Sequence, residues 1–252
     1  MTPFNPVFSI ITVVYNRKED IAYTLESVTN QSYPHIDYIV IDGNSSDGTK
    51  SIISKNQEKI QTYVSEDDKG IYDAMNKGLS KAKGQYILFL NGGDSLYDTN
   101  TLQDIVDRMN ECQIIDPDII YGECMLVNRN RQPFMTRSEY RNQILPKSLD
   151  YFSFRLGTNV SHQAFIVKKE LCKFYNLDYR WASDIDWMLN CLKKAKTNVL
   201  YNGIICNFVI GDSSEKHKVS SLLERFKIMR KHYGLFKTLV SHLLILKTRV
   251  GK

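Results

Sequence analysis

VFSIITVVYN, Val7 to Asn16, is a nearly unbroken run of β-branched and aromatic residues that stops at an asparagine. A strand with one wet face alternates apolar and polar residues; a run this continuous suits a strand buried on both faces, as in a parallel sheet. YIVI (Tyr38 to Ile41) and YILFL (Tyr86 to Leu90) repeat the pattern. Between the runs the apolar spacing turns helical. Ile21, Leu25 and Val28 share a face within Lys18 to Asn30, Asp47 is placed to cap a helix carrying Ile52 and Ile53, and Ile71 to Lys83 carries Met75 and Leu79 before Gly84 closes it. Strand alternating with helix predicts βαβ units in an α/β fold: an open, mostly parallel sheet flanked by helices.

Ligands of such sheets bind beyond the carboxyl ends of the strands. The polar residues that follow the three runs, Asn16, Asp42 and Asp94, are therefore expected along one edge. After residue 100 the periodicity weakens. Leu102 to Met109 and Asp184 to Lys196 read as helices, Ile119 to Tyr121 and Ala164 to Val167 as strands, and Val199 to Ile210 as one or two strands.

The chain has 252 residues, 42% hydrophobic and 24% charged, which suits one sizeable core. It shows no apolar run near the roughly 18 residues of a spanning helix, and Met1 to Pro6 lacks the pattern of a secretory signal, so a cytoplasmic location is expected. Five dispersed cysteines without a C-x-x-C pair point to buried thiols. The net charge of +5 conceals an asymmetry: residues 216 to 252 hold 10 of the 33 Lys and Arg and a single acid, Glu224. Residues 1 to 215 are net acidic. The chain thus divides into a body, 1–215, and a basic amphipathic helical tail, 216–252, on which Leu222, Phe226, Met229 and Tyr233 are expected to share one face. Such a tail fits an anionic membrane surface.

Neither G-x-G-x-x-G after the first strand nor G-x-x-x-x-G-K-[ST] is present, which removes two common phosphate-binding devices. LFLNGGDSLY, Leu88 to Tyr97, instead ends a strand on two glycines and one carboxylate. Asp94 there caps a turn or holds a divalent cation; Mg²⁺ typically takes one or two protein carboxylates and completes its shell with phosphate oxygens and water.

Five phrases stand in order: SIITVVYN (Ser9 to Asn16), YIVIDGNSSDGT (Tyr38 to Thr49), SEDDKGIYDAMNKGLSKAKGQYILFLNGGD (Ser65 to Asp94), SHQAFIVKKEL (Ser161 to Leu171) and WASDIDWML (Trp181 to Leu189). Together they resemble glycosyltransferase family 2, inverting enzymes of GT-A fold, and in particular the bacterial members that build capsule, colanic acid and O-antigen. The resemblance implies a nucleotide-sugar-binding half, 1–98, and an acceptor-binding half, 99–215. It implies that Thr12, Val13, Tyr15, Asn16 and Asp42 hold the nucleoside, that Asp67, Lys69, Tyr72, Asp73 and Asn76 meet ribose and diphosphate, and that Asn91, Gly92 and Gly93 approach the sugar. Asp94 matches the family's metal carboxylate for Mn²⁺ or Mg²⁺, although NGGD replaces the usual D-x-D; His217 is a second metal candidate. Asp184 matches the catalytic base, with Ser183 in place of the usual Glu and Asp186 as the alternative. His162 of SHQAF is the acceptor-side residue.

The activity implied is transfer of Glc, Gal, GlcNAc or GalNAc from a UDP-sugar to a lipid-pyrophosphate-linked oligosaccharide, forming a β-linkage at the cytoplasmic face of the inner membrane, with a homodimer left open. A nucleotidyltransferase or a non-catalytic nucleotide- or membrane-binding module is the alternative. The former needs a Gly-rich basic loop that residues 9 to 20 lack, and the acidic balance of residues 1 to 215 disfavours nucleic acid.

Overall fold

The computed structural model describes residues 3–157, 160–210 and 218–250. β1 (Phe8–Val14) lies parallel to β2 (Ile36–Asp42), with Phe8 opposite Ile36 and Val14 opposite Asp42. It also lies parallel to β4 (Tyr86–Phe89), and β2 pairs with β3 (Thr62–Ser65) in the same sense. The connections are α1 (Ile21–Thr29), α2 (Thr49–Lys55) and α3 (Ile71–Lys81). All seven residues of β1 are buried, as its composition requires. Successive side chains enter opposite layers. Ile11 and Val13 join Met75, Leu79 and Trp187 on one face; Ile10 and Val14 join Leu25, Leu102 and Ile105 on the other.

The rest of the chain completes the sheet differently. β4 pairs antiparallel with β8 (Phe165–Lys168), which pairs antiparallel with β6 (Ile119–Val127). β6 runs parallel to β9 (Asn198–Val209), which takes β5 (Ser95–Leu96) antiparallel on its far side. β7 (Pro133–Thr136) folds back on β6. The order is β3-β2-β1-β4-β8-β6-β9-β5. The sheet is thus mixed, and the expectation of a mostly parallel sheet holds only for β1 to β4. Parallel neighbours need long, usually helical crossovers, whereas β6 and β7 are joined by a tight turn in which Asn128 Oδ1 accepts the amides of Asn130 and Gln132. Val199 to Ile210 forms one strand, not two.

α4 (Thr101–Glu111) covers the α1 face; α5 (Arg137–Arg141) and α6 (Ser183–Leu192) belong to the second half. α7 (Lys218–Tyr233) and α8 (Leu235–Val250) follow, reversed at Gly234, whose φ of +83° suits glycine. α7 does not stand apart from the body: Ile228, Met229 and Tyr233 enter the core beside α6. Leu222, expected to share a face with Phe226, Met229 and Tyr233, is exposed while Met229 and Tyr233 are buried, because the side of α7 turned to the body carries Glu224, Lys231 and His232, whose polarity the apolar spacing overlooked. Gly84 also has another role than closing α3, which ends at Lys81. A Cβ at 84 would stand 2.6 Å from the Ser9 nitrogen, so glycine lets this turn pass against β1. Among the described residues no helix is long and apolar enough to cross a membrane.

Candidate active site

The carboxyl ends of β1, β2 and β4 open into a cleft of about 1570 Å³. Pockets for one small ligand typically measure about 300–1,000 Å³, so this cleft has room for two reactants. One wall carries Val13, Tyr15, Asn44, Asp67, Lys69 and Tyr72; the floor is Asn91 to Asp94; the opposite wall includes Leu177, Tyr179, Trp181 and Phe208.

The floor is built around glycine. Gly92 donates to the Val13 carbonyl at 2.9 Å, and a Cβ there would lie 2.7 Å from Val14 Cγ2; Gly93 has φ +112°. Thr24 Oγ1 fastens the turn from below, accepting from the Gly93 amide at 2.8 Å and donating to the Asp94 carbonyl at 2.7 Å. Asp94, only 5% exposed, accepts from Gln163 Nε2 at 3.0 Å and from the Val209 amide at 3.2 Å. Burial pushes its carboxyl up to about 7, against the pull of these two donors and of Arg131 and Arg17. Arg131 reaches over the Tyr23 ring, donates to the Gly93 carbonyl and pairs with Asp20 at 2.7 Å. Asn91 Oδ1 is buried with no hydrogen-bond partner among the described residues.

Among the described residues no three His, Cys, Asp or Glu converge as a ready-made metal cage. Asp94 and the unpartnered Asn91 oxygen are nevertheless hard oxygen donors on the cleft floor. They fit a Mg²⁺- or Mn²⁺-type ion that draws its remaining ligands from a diphosphate and water.

Asp184 stands in the first turn of α6, three residues after the cleft-lining Trp181; it does not itself line the cleft, and its Oδ1 accepts the hydroxyl of Tyr72, which does, at 3.0 Å. Burial, followed by the Asp184 charge, pushes the Tyr72 phenol well above its ordinary value, so it stays a donor. Asp186, the alternative base, is corrected by its surroundings: it is 3% exposed and held by His232 Nε2 at 2.8 Å and Lys231 Nζ at 3.0 Å. Burial would raise its pKa, but the two bases outweigh it and hold the carboxyl below the usual range. Two residues along a helix, its side chain points away from that of Asp184.

Several other residues serve the frame of the site. Thr12 is enclosed, paired with the Tyr38 hydroxyl at 3.1 Å. Asp42 is fully enclosed and accepts from the Ser45 amide at 3.1 Å and Ser65 Oγ at 2.6 Å; it braces the turn whose Gly43 and Asn44 line the cleft and does not face the cleft itself. Asn16, at φ +48°, accepts from the Ser46 amide at 2.9 Å and donates its own amide to Ser45 Oγ at 2.8 Å, again shaping that turn. Asn76 clasps the Tyr175 backbone at 3.0 and 2.7 Å and so ties α3 to the second half instead of reaching ligand. Asp67 accepts from Asn44 at 2.9 Å, and the Lys69 amide is bonded to Asp73 at 3.0 Å. His162 is buried in a short 3₁₀ turn, its Nε2 without a partner among the described residues, and burial holds its pKa low; its neighbour Gln163 makes the contact to Asp94. His217 lies outside the described residues.

Sequence reading passed over Gln163, Arg131 and Asp20. Gln163 stood beside His162 in SHQAF, whereas the Asp20 to Arg131 pair spans 111 residues and leaves no local pattern.

The mixed sheet, with a glycine-floored cleft at the carboxyl ends of its parallel strands and a buried carboxylate on that floor, is the architecture of a GT-A sugar-transferase fold. The chain belongs to glycosyl transferase family 2, whose profile matches residues 9–174, and it is a glycosyltransferase. It is 28% identical over 206 residues to a PGL/p-HBAD biosynthesis glycosyltransferase of Mycobacterium bovis, covering 79% of this chain and 75% of the relative. It is 39% identical over 97 residues to the putative teichuronic acid biosynthesis glycosyltransferase TuaG of Bacillus subtilis, covering 37% of this chain and 38% of that one. The crystal structure of S. aureus TarS 1-349 in complex with UDP-GlcNAc superposes with a TM-score of 0.70 at 18% identity, over 90% of this chain and 65% of that chain.

Proposed function

We propose that the protein is an inverting transferase that moves a hexose from a UDP-sugar to a lipid-linked saccharide during assembly of a bacterial surface polysaccharide. The observation that carries this reading is the bond from Tyr72, which lines the cleft whose floor is Asp94, to Asp184 of the second half. The glycosylation named for TuaG and the nucleotide held by TarS support the substrate classes.

In this reading the acceptor hydroxyl gives its proton to Asp184 as its oxygen attacks the anomeric carbon; the new C–O bond forms while the bond to the β-phosphate oxygen breaks, and UDP leaves on the opposite side. An α-linked donor then yields a β-linkage. Tyr72 occupies Oδ1 of Asp184 and fixes the carboxylate plane. Asp94 and Asn91 would hold Mn²⁺ or Mg²⁺, which supplies positive charge for the departing diphosphate. In this reading the cleft-lining Val13, Tyr15 and Asn44 would form the nucleoside wall, with Asp42 behind it, and Lys69 would meet the diphosphate.

The tail completes the proposal. Val219, Leu222, Leu223, Phe236, Leu239 and Leu243 all face outward on α7 and α8, in a segment with ten Lys and Arg against one acid. An anionic membrane surface would match both the apolar and the charged component, and in this reading the enzyme sits peripherally on the inner membrane, at a lipid-linked acceptor.

Calorimetric titration with UDP-glucose, UDP-galactose, UDP-GlcNAc and UDP-GalNAc, with and without Mn²⁺ or Mg²⁺, tests the core of this reading. Binding that requires the cation, fails in Asp94→Ala and survives in Asp184→Asn is the expected result. Absence of binding under any cation overturns it.

A further inference from the structure

The single acid of the basic C-terminal segment is tied to the catalytic wall. Glu224 Oε1 accepts the Arg180 amide at 2.9 Å, and Oε2 accepts the amides of Trp181 at 2.7 Å and Ala182 at 3.0 Å. Ala182 directly precedes α6, and no side chain at that position caps the helix. The three amides belong to the turn before α6, outside the helix ladder, and need an acceptor of their own. Here the acceptor comes from another helix, 42 residues further along the chain. Two residues beyond Ala182 stands Asp184.

A second tie lies just downstream. Asp186 is held by Lys231 and His232, and Glu224, Ile228 and His232 fall at four-residue steps along one face of α7. Asp184 is therefore bracketed at 180–182 and at 186 by one face of one helix, while Ile228, fully buried, packs between the anchors. Arg180 and Trp181, whose amides Glu224 holds, themselves line the cleft.

We propose that Glu224 is a positioning residue for the transfer reaction: its carboxylate orders the 180–182 turn and thereby sets where Asp184 meets the acceptor hydroxyl. This rests on the reading of Asp184 as the base. A glutamine at 224 keeps size and shape but presents one NH₂ to a backbone N–H, so at least one of three charge-assisted bonds is lost and the others weaken.

The test uses the full chain and the UDP-hexose that binds best. In Glu224→Gln, amide exchange at residues 180–182 should quicken about tenfold while Leu189 to Leu192 keep their protection. The kcat for UDP release should fall about tenfold, the scale of one lost hydrogen bond to a charged group, with donor affinity within about twofold of the wild type. Ile105→Val, a buried trim in the opposite layer, serves as the stability control and should leave kcat unchanged. Unaltered exchange at 180–182, unaltered kcat in Glu224→Gln, or an equal kcat loss in Ile105→Val would each overturn the inference. Full turnover in Asp184→Asn would instead remove the base assignment, and the inference with it.

Discussion

The Tyr72 hydroxyl donates to Asp184 Oδ1 at 3.0 Å, joining residues 112 positions apart. Tyr72 lies in the first turn of α3 in the parallel half, and Asp184 in the first turn of α6 in the second half. Tyr175 stacks on Tyr72 with ring centroids 5.4 Å apart, and Trp187 stacks on Tyr175 at 5.1 Å, so the phenol is held by aromatic packing as well as by the carboxylate.

Removing that donor isolates its contribution. Tyr72→Phe keeps the stack and loses only the bond, so kcat for UDP release is expected to fall about tenfold, equivalent to roughly 1.4 kcal/mol. Donor affinity should change little. Steady-state kinetics beside calorimetry checks the split.

Asp94 gives a pH signature. Its folded pKa of about 7 lies above the ordinary carboxylate value of about 3.8 that it has in the unfolded chain, so between these limits the folded state binds the extra proton. Stability from this group is full below pH 4 and is lost as pH rises towards 7, with a slope of at most about 1.4 kcal/mol per pH unit. Denaturant midpoints of the metal-free chain from pH 4.5 to 7.5 should therefore decline more in the wild type than in Asp94→Asn. Donor binding with Mn²⁺ should strengthen over the same interval, because a metal ligand must be deprotonated.

Asp186 has the opposite sign. Its folded pKa is lowered by His232 and Lys231 in spite of burial, so its stabilisation is present above the ordinary carboxylate range and disappears as pH falls through the folded value. Asp186→Asn should cost about 2 kcal/mol at pH 7, since Lys231 is half exposed and keeps water. The difference between variant and wild type should shrink below pH 4 in chemical denaturation.

Gly78 tests the contact between α3 and β1. A Cβ there would run into Ile11 Cγ2. Alanine gains about 1 kcal/mol of helix propensity but overpacking costs about 1–3 kcal/mol, so Gly78→Ala should be net destabilising. A double-mutant cycle with Ile11→Ala should show favourable coupling, because the smaller side chain makes room.

Much of the first ninety residues was legible because both faces of the sheet are buried there. Burial on both sides demands continuous apolar strands, and the helices between them need one apolar stripe; both demands leave local patterns. Asn16, Asp42 and Asp94 fell at the expected edge for the same reason, and the phrase order pointed to the family. The second half was harder to read. Its strands are joined by turns and reverse direction, so the mixed sheet had no local signature.

The chain's own sequence determined the three parallel runs, the glycine floor of NGGD and the helix start at Asp184, since each depends on neighbours within a few residues. Only the tertiary structure decided how each carboxylate is held. Asp42 and Asp186 are as acidic in sequence as Asp94 and Asp184, but serines enclose the first, and Lys231 with His232 hold the second. The tail followed the same rule. Its charge was countable in advance, whereas the attachment of Glu224 to the turn at 180–182 arose from packing between elements more than forty residues apart, where a carboxylate finds its backbone donors only once the folded chain brings them to it.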